Sequence, residues 1–265
     1  MKVVRQAGLH VETFGAGPDL VMLHGWAMHG GLLRDFAKRF SHRWRISLVD
    51  LPGHGASGLL ADYSLETVTE ALLDVTPPTA HWLGWSLGAL LALSAARSMP
   101  ERTLSLTMMA GTPRFTAASD WSGVDAALLV QMAANLEQDF MRTLHRFIAL
   151  QTFGHENAKG LARQIQVLLD GRETPETVAL RGGLRLLGDV DLRSDLAACD
   201  IPVLCLLGAR DRLVPRELAP ALGRLGNNIE VHLVAGATHL PFMTHPKETC
   251  RLVQDFLERQ TQESA

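Results

Sequence analysis

The stretch Ala80-His81-Trp82-Leu83-Gly84-Trp85-Ser86-Leu87-Gly88-Ala89-Leu90-Leu91-Ala92-Leu93 decides how the rest of the 265-residue chain is read. An apolar run ends at Gly84, a Gly-x-Ser-x-Gly pentapeptide follows, and an alanine- and leucine-rich run begins at once. Strand, tight turn, helix is the order that a nucleophile elbow requires. Glycine at 84 and 88 lets strand and helix approach while the serine between them sits on a strained backbone. Ser86 is therefore the candidate nucleophile, with unpaired N–H groups of a helix start behind its hydroxyl.

Outward from this point the chain alternates. Short apolar runs at Leu20–Leu23, Ile46–Val49, Leu104–Met109, Pro202–Gly208 and Ile229–Val234 have the composition of strands buried on both faces, and Leu9–Phe14 alternates like an edge strand. Helical spacing occupies Leu32–Phe40, the run from Ser64 to Pro77-Pro78, Pro215–Leu225 and Pro246–Glu258. Alternating strands and helices predict an α/β fold with a doubly wound, mostly parallel sheet. Between about Arg114 and Leu187 the rhythm changes to helical patterns alone: Val124–Leu136, Asp139–Leu150, Asn157–Leu169 and Thr174–Leu187. The expected division is a core of residues 1–113 and 188–265 with an inserted all-helical cap, 114–187, over the carboxyl ends of the strands, where such sheets bind ligands.

Composition narrows the function classes. The formal charge of −3 offers no global field for nucleic acid or an anionic membrane. No apolar run reaches the roughly 20 residues of a membrane span, and Met1–Gln6 lacks the apolar segment of a signal peptide. Cys199, Cys205 and Cys250 have no metal-ligand spacing and are read as free thiols in a reducing cytoplasm.

A serine hydroxyl needs a base, and the base an orienting acid. Asp211 follows one C-terminal strand pattern and His239 the next, inside Gly-x-x-His, so the order Ser86, Asp211, His239 is nucleophile, acid, base. The alternative for Asp211 is a helix cap before Leu213-Val214-Pro215; the rival acids Asp189, Asp191 and Asp195 lie at the end of the helical insert. Oxyanion donors are expected from the N–H of Leu87 and, from the His24-Gly25-Trp26 loop, of Trp26. His24 is expected to brace that loop. Trp26 and Trp85 fit either core packing or a pocket wall.

His24-Gly25-Trp26, Asp50-to-Ser57 as Asp-x-x-Gly-x-Gly-x-Ser, the Ser86 elbow, Asp211 and His239 together resemble the α/β-hydrolase superfamily. Trp82-Leu83-Gly84-Trp85-Ser86, Phe147-Ile148-Ala149-Leu150-Gln151-Thr152, Gly182-Gly183-Leu184, Val190–Arg193 and Leu213–Arg216 are similar to the biotin-pathway carboxylesterase family, which acts on pimeloyl-[acyl-carrier protein] methyl ester. That resemblance implies the triad just named and substrate binding by Trp26 and Leu87. It also implies an acyl channel lined by Phe147, Ile148, Ala149, Leu150 and Gln151 beneath the cap, which the residues themselves fit equally well as helix core. The partner it implies is an acidic acyl carrier protein. Arg142 and Arg146 are four apart, as are Lys159 and Arg163, and against them stands one acid, Glu156, a local +3. Each pair shares a helix face, readable as a docking surface or as an ordinary solvated one. The expected enzyme is a monomeric serine carboxylesterase without metal or cofactor, also open to small esters. A general short-chain esterase or carbon–carbon bond hydrolase, and a non-catalytic hydrolase-fold receptor, are the alternatives.

Overall fold

The computed structural model describes residues 8–263, so the reading of Met1–Gln6 lies outside the described residues. Seven strands form one sheet: β1 (Val11–Gly15), β2 (Asp19–Leu23), β3 (Arg45–Val49), β4 (Ala80–Trp85), β5 (Thr103–Met109), β6 (Val203–Gly208) and β7 (Ile229–Val234). Their spatial order is β1-β3-β2-β4-β5-β6-β7, with β1 antiparallel to β3 and the remaining pairs parallel. Every residue of β4 and β6 is buried, as continuous apolar runs in a sheet covered on both faces should be. β1 is half exposed at one edge and β7 at the other.

The helices that cover the sheet are α1 (Arg34–Ala37), α2 (Leu65–Val75), α3 (Leu87–Ser98), α8 (Arg193–Ala197), α9 (Ala219–Gly223), α10 (Pro241–Thr244) and α11 (Pro246–Glu263). Between β5 and α8 stand four helices, α4 (Ala126–Gln138), α5 (Phe140–Thr152), α6 (Ala158–Leu169) and α7 (Thr177–Asp189), where the sequence places the expected cap. The α2 start is a capping box: Ser64 accepts from the Thr67 N–H, and Thr67 Oγ1 accepts from the Ser64 N–H. Asp125, Asp139 and Asn157 cap α4, α5 and α6 with their side chains.

Three elements differ from their sequence patterns. Over Leu32–Phe40 the regular helix is only α1, preceded by a 3₁₀ turn at Gly30–Leu32. Past Ala37 the chain continues in hydrogen-bonded turns, and Phe36, Phe40 and Trp44 meet edge-on, with centroids 5.0 and 6.1 Å apart. Pro215–Leu225 divides into a 3₁₀ turn at Arg216–Leu218 and α9, with Pro220 in the first turn, where its missing N–H costs nothing. The insert also holds two isolated bridges, Thr116–Val124 and Ala118–Trp121, and α7 runs two residues past Leu187. No helix among the described residues is long and apolar enough to cross a membrane.

Candidate active site

The carboxyl ends of β4, β6 and β7 bring Ser86, Asp211 and His239 together. Ser86 follows β4 at φ 57°, ψ −120°, a conformation that L-residues avoid at a cost of about 1–3 kcal/mol. The flanking glycines make it possible. A Cβ at Gly84 would fall 2.2 Å from the Gly88 carbonyl oxygen, and one at Gly88 2.5 Å from that of Leu23. His239 Nε2 stands 2.9 Å from Ser86 Oγ, and its Nδ1 stands 2.8 Å from Asp211 Oδ2. The second carboxylate oxygen, Oδ1, accepts the N–H groups of Leu213 and Val214 at 2.8 and 3.1 Å, which aims Oδ2 at the imidazole. A carboxylate at Nδ1 selects the tautomer whose bare Nε2 can take a proton from the serine.

The two residues expected to donate to an oxyanion lie beside the same serine. Leu87 is the first residue of α3, where backbone N–H groups have no intrahelical acceptor. Gly25 lies so close that a Cβ there would meet Ser86 Cβ at 3.2 Å, which sets the His24-Gly25-Trp26 loop beside the nucleophile. His24 braces that loop by accepting the Leu51 N–H at Nε2, 2.9 Å, and donating Nδ1–H to the Gly25 carbonyl, 2.8 Å. Burial, reinforced by the facing His54 ring, lowers its pKa to about 3 and keeps it neutral; burial takes His54 to about 4.

Helices α5 and α7 reach down to this loop. The Trp26 indole donates to the Leu180 carbonyl on α7 at 2.7 Å, and the Phe147 ring meets it edge-on at 4.8 Å. Phe147, Ile148 and Gln151 are buried beneath α5, and neither amide atom of Gln151 has a protein partner. Ala149 is exposed and Leu150 half-buried; both line an outer cleft between α4 and α5 and are not gathered around Ser86. Arg142, Arg146, Lys159 and Arg163 are exposed and form no ion pair among the described residues. Of the rival acids, Asp191 binds Arg114 and Arg193, Asp195 binds Arg97, and Asp189 faces solvent.

Two contacts go beyond the sequence patterns. Trp85 donates its indole N–H to the His239 carbonyl at 2.8 Å and packs edge-on against Phe242, tying the loop of the histidine to the strand of the serine. Gly183 on α7 abuts Trp26 and Leu87 together. The Gly182-Gly183 pair was the available signal for the second contact, since adjacent glycines inside a helix imply a close approach. The three cysteines are free, with Cys205 raised to about 12 by burial.

Comparison with known proteins agrees with this geometry. Residues 20–252 match the model of the alpha/beta hydrolase family. The chain is 47% identical to a pimeloyl-[acyl-carrier protein] methyl ester esterase from Methylococcus capsulatus, over 94% of this chain and 98% of that one. It is 40% identical to the protein of the same name from Serratia marcescens, over 94% and 98%. Among solved structures, an esterase from Exiguobacterium antarcticum superposes with a TM-score of 0.85 at 21% identity, covering 94% of this chain and 95% of its own. A bromoperoxidase from Bacillus anthracis gives 0.84 at 21%, covering 96% and 98%. At such identity the two structures speak for the fold alone.

Proposed function

The chain belongs to the alpha/beta hydrolase family and is a carboxylic ester hydrolase, and on that premise we propose that it demethylates pimeloyl-[acyl-carrier protein] methyl ester in biotin synthesis. The observation that carries the chemistry is the imidazole of His239, held within hydrogen-bond reach of Ser86 Oγ on one side and Asp211 on the other. The similarity of nearly the whole chain to esterases of that name supports the substrate.

In the proposed reaction Ser86 Oγ attacks the ester carbonyl carbon while His239 Nε2 takes its proton. The oxyanion that forms is stabilised by the N–H groups of Leu87 and Trp26. Collapse breaks the bond to methoxide, which leaves as methanol with the proton from His239. Water, deprotonated by the same nitrogen, then attacks the acyl-enzyme and releases the carboxylic acid and free Ser86. Phe147 and Ile148 supply apolar contact for the acyl chain, and the unpartnered Gln151 amide supplies a hydrogen bond.

Arg142, Arg146, Lys159 and Arg163 are proposed to receive the acidic carrier. Residues 114–187 act as the cap on a core of 1–113 and 188–265, working as a cytoplasmic monomer.

The test is hydrolysis of the carrier-bound methyl ester and of p-nitrophenyl butyrate by wild type and Ser86→Ala. Loss of both activities in the variant, with rescue of a biotin auxotroph by wild type only, is the expected outcome. Equal rates from both proteins would remove the enzymatic reading. Turnover of the small ester without rescue would favour a general short-chain esterase.

A further inference from the structure

Asp211 points inward, with its side chain fully buried against His239, so its neighbours Arg210 and Arg212 are turned outward. Together with Arg216 they line a groove of about 500 Å³ where the core meets the end of α5. Both neighbours are held against the cap. Arg210 Nη1 donates to the Gly154 carbonyl at 3.0 Å, and the Arg212 guanidinium stacks over the Phe153 ring at 4.9 Å from its centroid. The acid in this groove besides Asp211 is Glu217, which contacts Arg216 at 3.3 Å.

Phe153 is 53% exposed and also borders the second cleft, of about 360 Å³, that runs between α4 and α5 past Leu150 and Arg146. Residues 142, 146 and 150 recur at helical spacing, so they form one stripe about 12 Å long on the outer face of α5, and Phe153, the C-cap residue just past the helix, continues it toward the core. The stripe is basic at one end, apolar in its middle, and runs at its other end into the three core arginines. An acidic amphipathic helix presents the complementary order of charge.

We infer that the docking surface for the acidic carrier protein continues off the cap onto the core, with Arg210, Arg212 and Arg216 as its far end and Phe153 as its apolar centre. The inference rests on the carrier-bound substrate proposed above and adds a second contact area to the cap cations. A carrier seated there bridges cap and core, and its acidic side chains exchange solvent for guanidinium groups suited to bidentate carboxylate binding.

The experiment compares kcat/KM for the carrier-bound methyl ester with that for p-nitrophenyl butyrate, at low and high salt, and reads their ratio. In Arg212→Glu with Arg216→Glu the ratio should fall about ten-fold or more at low salt, through KM, and vary less with salt than in wild type. The paired Arg→Lys variant should recover part of it, since the charge returns without the planar fork. An unchanged ratio in the Glu variant, with a fall in Arg142→Glu with Arg146→Glu, would confine docking to the cap and overturn the inference. Equal losses on both substrates leave the ratio unchanged and count against it in the same way. A wild type that turns over the small ester but shows no gain from the carrier and no salt dependence would instead remove the carrier as substrate, and this surface with it.

Discussion

Replacing Gly183 by alanine tests whether α7 sets the proposed oxyanion loop. The new Cβ would stand 2.7 Å from Trp26 Cδ1 and 3.1 Å from Leu87 Cδ2. Carbon contacts relax at roughly 3.5–4.0 Å, so the indole has to retreat by about 1 Å. It has no free direction: its N–H is held by the Leu180 carbonyl, the Phe147 ring closes one side, and it is fully buried. Overpacking of this kind costs about 1–3 kcal/mol, offset by about 1 kcal/mol of helix propensity gained over glycine. The net loss of stability is therefore roughly 0–2 kcal/mol. Catalysis should suffer more, because a misplacement of about 1 Å at a reacting group costs about 10²-fold.

Gly182→Ala is the control. Its Cβ would press on the Tyr63 ring at 2.4 Å, a worse clash on the same helix, directed away from Trp26. Thermal melts and kcat/KM on p-nitrophenyl butyrate measure both variants. The expected result is a loss of about 10²-fold confined to Gly183→Ala, with the larger fall in Tm in Gly182→Ala. If turnover falls in both variants in step with stability, or survives in Gly183→Ala, α7 does not position the loop.

Two further outcomes follow from the same contacts. Asp211→Asn keeps an oxygen for the Leu213 and Val214 N–H groups but presents an amide N–H₂ to His239, which favours the wrong tautomer; kcat should drop about 10⁴-fold with little change in Tm, and a drop below ten-fold would exclude the orienting role. His24, His54 and His81 have pKa values lowered by burial to about 3, about 4 and about 4. Below the ordinary value of about 6.5 the unfolded chain takes up protons that the fold refuses. Stability that is complete above that pH is thus lost as the pH falls toward 4, by about 1.4 kcal/mol per unit for each ring. His54→Phe gives up the bond to the Pro52 carbonyl, about 1 kcal/mol, yet removes one of these rings. Its urea-unfolding free energy should lie below that of wild type at pH 7 and above it near pH 4.5; curves that stay parallel would refute the assignment.

The elbow was legible because its constraint is local. Gly84, Ser86 and Gly88 carry the requirement for close backbone approach in their own side chains, or lack of them. Asp211 and His239 could be found because each follows an apolar strand pattern at the rim where parallel sheets place their sites. The patterns read from Asp139 and Asn157 began on the residues that cap α5 and α6, and the one read from Val124 began one residue before the Asp125 cap of α4. Contacts between distant segments were less accessible. Periodicity shows that α7 buries a face, but nothing near Gly183 in the chain names Trp26 as what it meets. Phe147 and Ala149 stand two residues apart in one motif, yet the helix turns one inward and the other to solvent. At Leu32–Phe40 an aromatic spacing of four was satisfied by turns as well as by a helix, so the pattern did not distinguish them.

The indole of Trp85 hangs from the residue before Ser86 and grips the main chain of His239. Hydroxyl and imidazole are therefore tied through one side chain, so a displacement of β4 should carry both the same way. Their separation is buffered against motions that would pull apart two groups mounted on independent loops, so mild heating short of unfolding should leave the proton-transfer distance nearly constant.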